Sequence, residues 1–588
     1  MQTKRIRRTA LLLVSVMIIA LMAACSGGNK ESATNTASNS NTDNKNTETN
    51  ATESASTEVK DPVKLKIFAA WLNNPLNNSV PSDPVMVELA KKTGVTLDFE
   101  PYTGGGDHNA KLSVLLASDD LPDIIITDDT SMVNKLIQSK QVLPLDDLIK
   151  TNGPNVTANF QEVLDRYKVI YPNDNNKNYF IKANIGRTET RPDYHNNAWS
   201  LRWDLYKKLG QPKVDTLDEY LDVIKQMQAL EPTNKEGKKN YGFGLNLGDT
   251  WGIYIVSKAT MNAQGLMDGK PTHLLDLNKD ELVPFIHDPN GKMWDVLKFY
   301  NKALQEGVLD PESVTMKNSN VLDKAAAGRY MSMQAGWLGP EEAEKNFIKE
   351  GTPEKGYVSI PVWMNSGNTY LTPENALGNQ FYTMISTKSK HPERAMDLLD
   401  FLSTSEGYKL IQNGPEGIGW DMVDGKPVLK PEAIALQKSD NDKFAATIGA
   451  KRWGHLSLFG SPFDSDGART DFYSEPALLE EIFTSSQKDF MKEMGYAYPT
   501  EGLDKTPNNT FTTALLSSIS PPAGSDLASM EASLDTYIGT ATAAVIYSKT
   551  DAEFEKGKEK LISEMKKMGA DEVFKFYHDK YEEIKGNN

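Results

Sequence analysis

The 588-residue chain has a single cysteine, Cys25, so it can form no disulfide within itself. Disulfide-stapled miniature folds and cysteine-built zinc sites are therefore excluded. Stability has to come from a sizeable core, which a chain of this length can bury. Positive charge is in deficit, with 64 Lys and Arg against 80 Asp and Glu and a formal net charge of −16. Such a surface repels nucleic acid and anionic lipid, both of which need a basic footprint. Histidine is scarce: the seven present are scattered and show no His-Glu-x-x-His spacing, which leaves hydrolytic metal chemistry without a foothold. No hydrophobic run reaches the roughly 20 residues of a membrane span.

What the N-terminus does have is a short apolar stretch, Ala10–Leu21, behind the cations Lys4, Arg5, Arg7 and Arg8. That arrangement suits a cleaved signal peptide, residues 1–24. Leu21-Met22-Ala23-Ala24-Cys25 resembles the lipid-attachment box of bacterial lipoproteins, with Met22 where Leu, Val or Ile is usual. The resemblance implies a diacylglycerol, palmitate-bearing anchor on Cys25. The protein would then be held on the outer face of the cell membrane without spanning it. Removing the four basic residues of the signal leaves 60 Lys and Arg against 80 acids, a charge of −20. Residues 25–60 are Ser, Thr, Asn, Ala and Glu, too polar to offset their chain entropy, and read as a disordered tether.

From Val63 the pattern changes to alternating strands and helices. Val63–Trp71 reads as a strand, Pro84–Lys92 as a helix stopped by Gly94, and Val95–Tyr102 as a second strand. A helix capped by Asp107 runs to Ala117, and Asp123–Thr127 is a buried strand. This order predicts a mostly parallel sheet covered by helices, with ligands bound at the carboxyl ends of the strands. Further on, Thr216 and Glu219 predict a capping box before the stripe Leu217, Tyr220, Leu221, Ile224. Met293, Val296, Leu297, Tyr300 and Leu304 predict a helix ending at Gly307. Pro392 opens another through Leu402. Glu553–Met568 and Asp571–Ile584 read as amphipathic helices packed on the domain. Between about Gly425 and Ala528 the pattern is irregular, and it predicts no definite elements.

Leu112–Ile126 (LSVLLASDDLPDIII) resembles an extracellular solute-binding protein of a bacterial ABC importer. The likeness is to the carbohydrate-binding branch that includes maltose-binding protein, in its long, LplA-type lipoprotein form. Leu201–Gly210 (LRWDLYKKLG), Ala325–Leu338 (AAAGRYMSMQAGWL), Tyr357–Val362 (YVSIPV) and Phe381–Gly407 follow in the family's order, and Gly557–Tyr581 resembles its terminal helices. The resemblance implies an α/β, two-lobe periplasmic-binding-protein-like fold of type II. Each lobe would be a mixed sheet flanked by helices, with the ligand cleft between lobes that close by hinge motion. The implied first lobe takes residues 61–185 and a return segment, 376–415. The second takes 186–375 and 416–588.

Nine tryptophans also call for a reason. Sugars present flat C–H faces edged by hydroxyls, so a sugar site needs aromatic platforms and planar polar groups. By resemblance Trp337 is the leading candidate for the cleft, at the end of the segment from Gly328-Arg329-Tyr330-Met331 that resembles the family's Gly-x-x-x-Met strand. Trp71, Asn73 and Asn74 follow the first strand. Asp128 and Asp129 lie near a sugar-contacting carboxylate of the family, with helix capping as the alternative for the pair. Trp199 and Arg202 fall just after the first crossing, where an interlobe salt bridge is the alternative for Arg202. Trp251, Tyr254 and Trp363 complete the set, while Trp203 and Trp294 read as packing.

The family's long branch can carry a calcium loop before a Tyr-Gly strand. Here that loop, Glu231 to Gly242, has Thr233 in place of a carboxylate and is crowded by Lys235, Lys238 and Lys239, so no metal and no cofactor are expected. Gly104-Gly105-Gly106 lacks the Lys-Ser/Thr of a P-loop and reads as a plain connection. The expected function is capture of an extracellular oligosaccharide by a monomer that delivers it to ABC permease subunits, with no catalysis. A peptide or other solute is the alternative within that class. A secreted glycosidase, which needs two spaced carboxylates, and a surface adhesin or signalling receptor are the alternatives outside it.

Overall fold

The alternation of apolar strands and capped helices at the start of the folded chain builds a sheet whose order is set by buried strands. The computed structural model describes residues 61–71, 82–101, 108–171, 173, 175–186, 198–249, 251–252, 265–268, 270, 272–334, 338–360, 372–373, 376–474, 483–504, 510–511, 514–522 and 524–586. Cys25 with its signal and tether lies outside them, as does the glycine run at 104–106. No helix among the described residues is long and apolar enough to cross a membrane.

In the first core, β1 (Val63–Ala69) alternates buried and open positions and then becomes continuously buried. The chain leaves it for α1 (Pro84–Thr93), where the Asp83 carboxylate accepts from Val85 N and Met86 N and Pro84 occupies the first turn. Gly94 ends α1 at φ 69°, the left-handed conformation that costs glycine least. Asp83 also accepts from Arg452 Nη1 at 2.8 Å and Trp453 Nε1 at 3.0 Å, so one cap ties two distant segments. β2 (Val95–Phe99), α2 (His108–Ala117), β3 (Ile124–Thr127) and α3 (Thr130–Gln138) continue the alternation. β2 and β3 both run parallel to β1. The return strand Tyr382–Ile385 pairs antiparallel to β3 and to β4 (Ile181–Lys182), closing a five-stranded mixed sheet.

The second core is built differently. Its larger helices, Leu217–Leu230 with the Thr216–Glu219 capping box and Met293–Gln305, bury the stripes read from sequence. Its sheets are short: Tyr357–Ser359, Ser200–Arg202 and Ser332–Met333 form one antiparallel set. Single parallel bridges, Tyr241 to Tyr330 and Phe243 to Leu309, tie in the stretch that follows the Glu231–Gly242 loop. A meander of Leu266–Asp268, His273–Asp276 and Glu281–Pro284 is covered by the terminal helix Ala570–Gly586. Helices Asp526–Ile546 and Asp551–Lys567 add Leu534, Ile538, Phe554 and Leu561 to this core.

The stretch that sequence left without elements contains a hairpin, Trp420–Val423 with Lys426–Leu429, and helices Pro431–Ser439, Asn441–Ile448 and Ser485–Met494. Trp453, Leu456 and Leu458 pack into the first core, while Phe490 packs into the second.

Candidate functional site

β1 and β3 are neighbours, and Ala70 N donates to Ile126 O at 2.9 Å, so the residues just beyond each strand are brought side by side. One strand end delivers Trp71 and the other Asp128. Trp71 has φ 61°, a left-handed backbone that a bulky side chain rarely adopts and that costs about 1–3 kcal/mol. Three contacts hold it there. Its indole Nε1 donates to Asp128 Oδ2, its ring tilts against His108 with centroids 4.9 Å apart, and His108 Nε2 lies 2.9 Å from Asp128 Oδ1. Although so fixed, the Trp71 side chain is exposed, with 45% of the residue open to solvent.

Burial pushes the Asp128 carboxyl up, but the hydrogen bonds from His108 and Trp71 outweigh it and hold the group below its ordinary value. Asp128 is thus an ionised acceptor, and His108 carries its proton on Nε2. The Asp128 backbone N–H adds a third bond that favours the ionised form. Nearby, the His455 ring lies on Phe381, centroids 3.9 Å apart. Burial lowers His455 to about 4, with Asp128 opposing the shift. A fixed carboxylate beside an exposed indole can hold a polyhydroxylated molecule by hydrogen bonds on one side and apolar contact on the other.

Asp129 has the capping role weighed for it: its Oδ1 accepts from Ser131 N at 2.8 Å and Met132 N at 3.1 Å, starting α3. From the second core, Lys270 faces the same place. Lys270 is solvent-exposed, and the carboxylates Glu531, Asp535, Asp129 and Asp128 favour its charged form and raise its pKa. Glu531 is pushed up by burial and accepts from Tyr577 OH at 2.7 Å.

The remaining sequence candidates separate into three groups. Asn73, Asn74, Tyr254, Trp337 and Trp363 lie outside the described residues. Trp251 is half-buried and packs against Leu338. Trp199 and Arg202 depart from the expectation of ligand contact. Trp199 is 1% exposed and sits among Tyr220, Phe243 and Phe299. Arg202 is fully buried, with Nε and Nη2 on the two oxygens of Asp204 at 2.8 and 2.9 Å and further bonds to Glu231 at 3.2–3.3 Å. Those carboxylates raise its already high pKa despite the opposing burial. Its partners lie within its own lobe, so it is an internal ion pair and not the interlobe bridge weighed for it. Trp203 and Trp294 pack as read; Trp203 Nε1 also donates to Asp489 at 2.6 Å.

His108 and His455 were missed because no local pattern marks them; a histidine becomes informative only when folding sets a carboxylate or ring beside it. The loop at Glu231–Gly242 closes on itself: Asn234 Oδ1 accepts from Glu236 N and Lys238 N, and Glu231 serves Arg202 and Lys355. Among the described residues no group of three or more His, Cys, Asp or Glu is placed to hold a metal.

The family model described as bacterial extracellular solute-binding protein matches residues 85–413. Lipoprotein LipO of Bacillus subtilis (strain 168) is 21% identical over 372 residues, covering 60% of this chain and 67% of that protein. Among solved structures, the alginate-binding protein AlgQ2 without calcium ion has 17% identity and a TM-score of 0.63, covering 89% of this chain and 99% of that one. FusA, an S. pneumoniae ABC-transporter substrate-binding protein solved with kestose, has 16% identity and a TM-score of 0.62, covering 90% and 100%. An HMO-binding, ABC-transporter-associated solute-binding protein from Bifidobacterium longum infantis has 14% identity and a TM-score of 0.60, covering 89% and 99%. At these identities the likeness shows the fold, the two-lobe α/β architecture of periplasmic solute-binding proteins. With more than half of its length matched by the family model, the chain belongs to the bacterial extracellular solute-binding proteins.

Proposed function

We propose that this solute-binding protein captures an oligosaccharide outside the cell and passes it to an ABC permease, while a lipid on Cys25 keeps it at the membrane. The observation that carries the ligand class is Trp71, an exposed indole held at a strained φ and locked to an ionised Asp128 at the carboxyl ends of β1 and β3. Backbone strain is retained where the surroundings impose it, and an exposed aromatic so fixed serves as a platform. The sugar-related descriptions of AlgQ2, FusA and the Bifidobacterium protein favour the same ligand class. Trp337, with Trp363 and Tyr254, is assigned the opposing wall, and Asn73 and Asn74 the polar edge beside Trp71. The lipobox at Leu21–Cys25 and the likeness to a lipoprotein support the anchor.

Core membership supports a lobe division of 61–185 with 376–474 and of 198–360 with 483–586. This moves the segment around Trp453 from the second lobe of the sequence reading to the first. Calorimetry with neutral, amino and uronate oligosaccharides tests the function. Binding without turnover, weakened by Trp71→Ala and Asp128→Asn, is expected. Hydrolysis of any of them would point to the glycosidase instead, and binding confined to peptides would end the sugar reading.

A further inference from the structure

The short helix Ala514–Ser518 and the residues after it belong to both cores at once. Leu516 and Ile519 bury their side chains in the second core. The polar side of the same segment is bonded to the first: Thr130 Oγ1 donates to Ser517 O at 2.8 Å, Tyr382 OH donates to the same carbonyl at 3.2 Å, and Asn134 Nδ2 donates to Ser520 Oγ at 2.6 Å. Just upstream, Thr510–Phe511 pairs in parallel with Thr372–Pro373, close to the start of the chain's return to the first core.

Thr130 Oγ1 and Tyr382 OH also lie 3.2 Å apart, and Tyr171 OH lies 3.4 Å from Tyr382 OH, so the three hydroxyls form one bonded cluster on the Ser517 carbonyl. Lys182 Nζ in turn donates to Tyr171 OH at 3.3 Å and lies 5.0 Å over the Tyr382 ring. Lys182 and Tyr382 are both buried. Each donor in such a chain polarises the next, so a lysine at its base strengthens the bond at its far end. Thr130, meanwhile, is the first residue of α3, capped by Asp129 and two residues from Asp128. The strand-end loop that carries the candidate ligand carboxylate is therefore tied directly to the second core.

We propose that Thr130 and Tyr382, bonded to the Ser517 carbonyl and backed by Tyr171 and Lys182, form a tie that sets how far the two lobes stand apart. They are positioning residues: they hold the Asp128 loop at a defined distance from the opposing wall without touching ligand. A tie with two hydroxyls on one half-buried carbonyl limits rotation more than a fully solvated loop would. Its loss frees the lobes without removing any core side chain. The proposal rests on the two-lobe binding reading, but its test needs no ligand, so either can fail alone.

The test is small-angle scattering on the ligand-free full chain carrying Cys25→Ala, comparing the parent with Thr130→Val, Tyr382→Phe and the double variant. Each lost donor should shift the balance of lobe positions roughly fivefold toward open, the worth of one net hydrogen bond. The radius of gyration should therefore rise in each single variant and most in the double. Thr130→Ser, which keeps the hydroxyl, should return the parent's curve, a rescue that a general packing defect would not give. A double variant that melts cooperatively near the parent temperature and scatters as the parent does would overturn the tie. If the double variant is too unstable to measure, Thr130→Val alone decides by the same criterion.

Discussion

Trp71 with Asp128 and Trp199 with Arg202 each set a tryptophan and a charged group near the end of a strand, and both pairs were drawn from sequence as ligand contacts. In space they are opposites. Arg202 finds its carboxylates inside its own core, two residues on at Asp204 and on the following helix end at Glu231, and Trp199 is packed by three aromatics. Asp128 instead gathers its partners from separate strand and helix ends, Trp71 after β1 and His108 at the start of α2. Both charges are satisfied within their own lobes, but Arg202 is sealed from solvent while Asp128 is partly open beside an exposed indole. A charge held by groups that converge from different elements at a sheet's carboxyl edge remains available to a ligand. Sequence spacing does not distinguish the two, because the difference lies in where the partners come from.

The largest effect that separates them is on stability. Arg202→Met should cost about 3 kcal/mol, because it leaves Asp204 and Glu231 facing each other in a poorly solvated place. Denaturant melts would show this, and ligand affinity measured on the folded fraction should stay at the parent value. A variant with parent stability and lost affinity would return Arg202 to the ligand site.

Trp71→Ala should behave in the opposite way. Affinity for the captured sugar should fall by about 1–3 kcal/mol, roughly ten- to a hundredfold, with little change in melting. Trp71→Gly sharpens the comparison, since glycine accepts φ 61° without strain and should melt no lower than the alanine variant. If both variants bound as the parent does, the platform reading would fail.

Acid separates the cores by a third route. His273 is buried in the second core, its Nε2 without a partner and its ring against Tyr577 at 4.3 Å. Burial lowers its pKa to about 3 from an ordinary 6.5, with Lys270 and His287 adding to the shift. The folded pKa is the lower one, so the unfolded chain takes up the proton first. The histidine's contribution is complete above about pH 6.5 and declines as the pH falls from there toward 3. At pH 5.5 the loss should be about 1.4 kcal/mol, and His273→Phe should flatten that part of the stability profile. Asp128 acts lower on the scale. Its pKa is depressed, so what it contributes persists above its ordinary 3.8 and is lost only as the pH falls below that.

The first lobe was legible because its signals are local and agree with one another. The helix stop at Gly94 and the continuous apolar run DIIIT act within a few residues, as does the capping box at Thr216 in the second lobe. The helix Asp526–Ile546 escaped notice because it is built of Ala, Ser and Thr and carries no sharp apolar stripe. The hairpin at Trp420–Leu429 did carry a signal. Asp424 and Gly425 both take positive φ, as a tight two-residue turn requires, but Pro427 argued against a strand. At the site, the Asp128–Asp129 pair could be named from sequence. Which of the two caps a helix could not, because a one-residue offset exchanges their roles.

That offset gives the smallest and most local prediction. Asp129 spends its carboxylate on the first turn of α3, so Asp129→Ala should cost about 1 kcal/mol of stability. Asp129→Ser should restore most of it, since a serine hydroxyl caps nearly as well. Asp128 starts no helix, so Asp128→Ser should cost the melt less than Asp129→Ala does, while removing the ionised acceptor that a sugar hydroxyl would meet. Equilibrium melts and calorimetry on Asp128→Ser and Asp129→Ser therefore form a closed comparison. Affinity should fall with the first and hold with the second. The reverse pattern would mean that Asp129 contacts the ligand and that Asp128 serves only to hold Trp71.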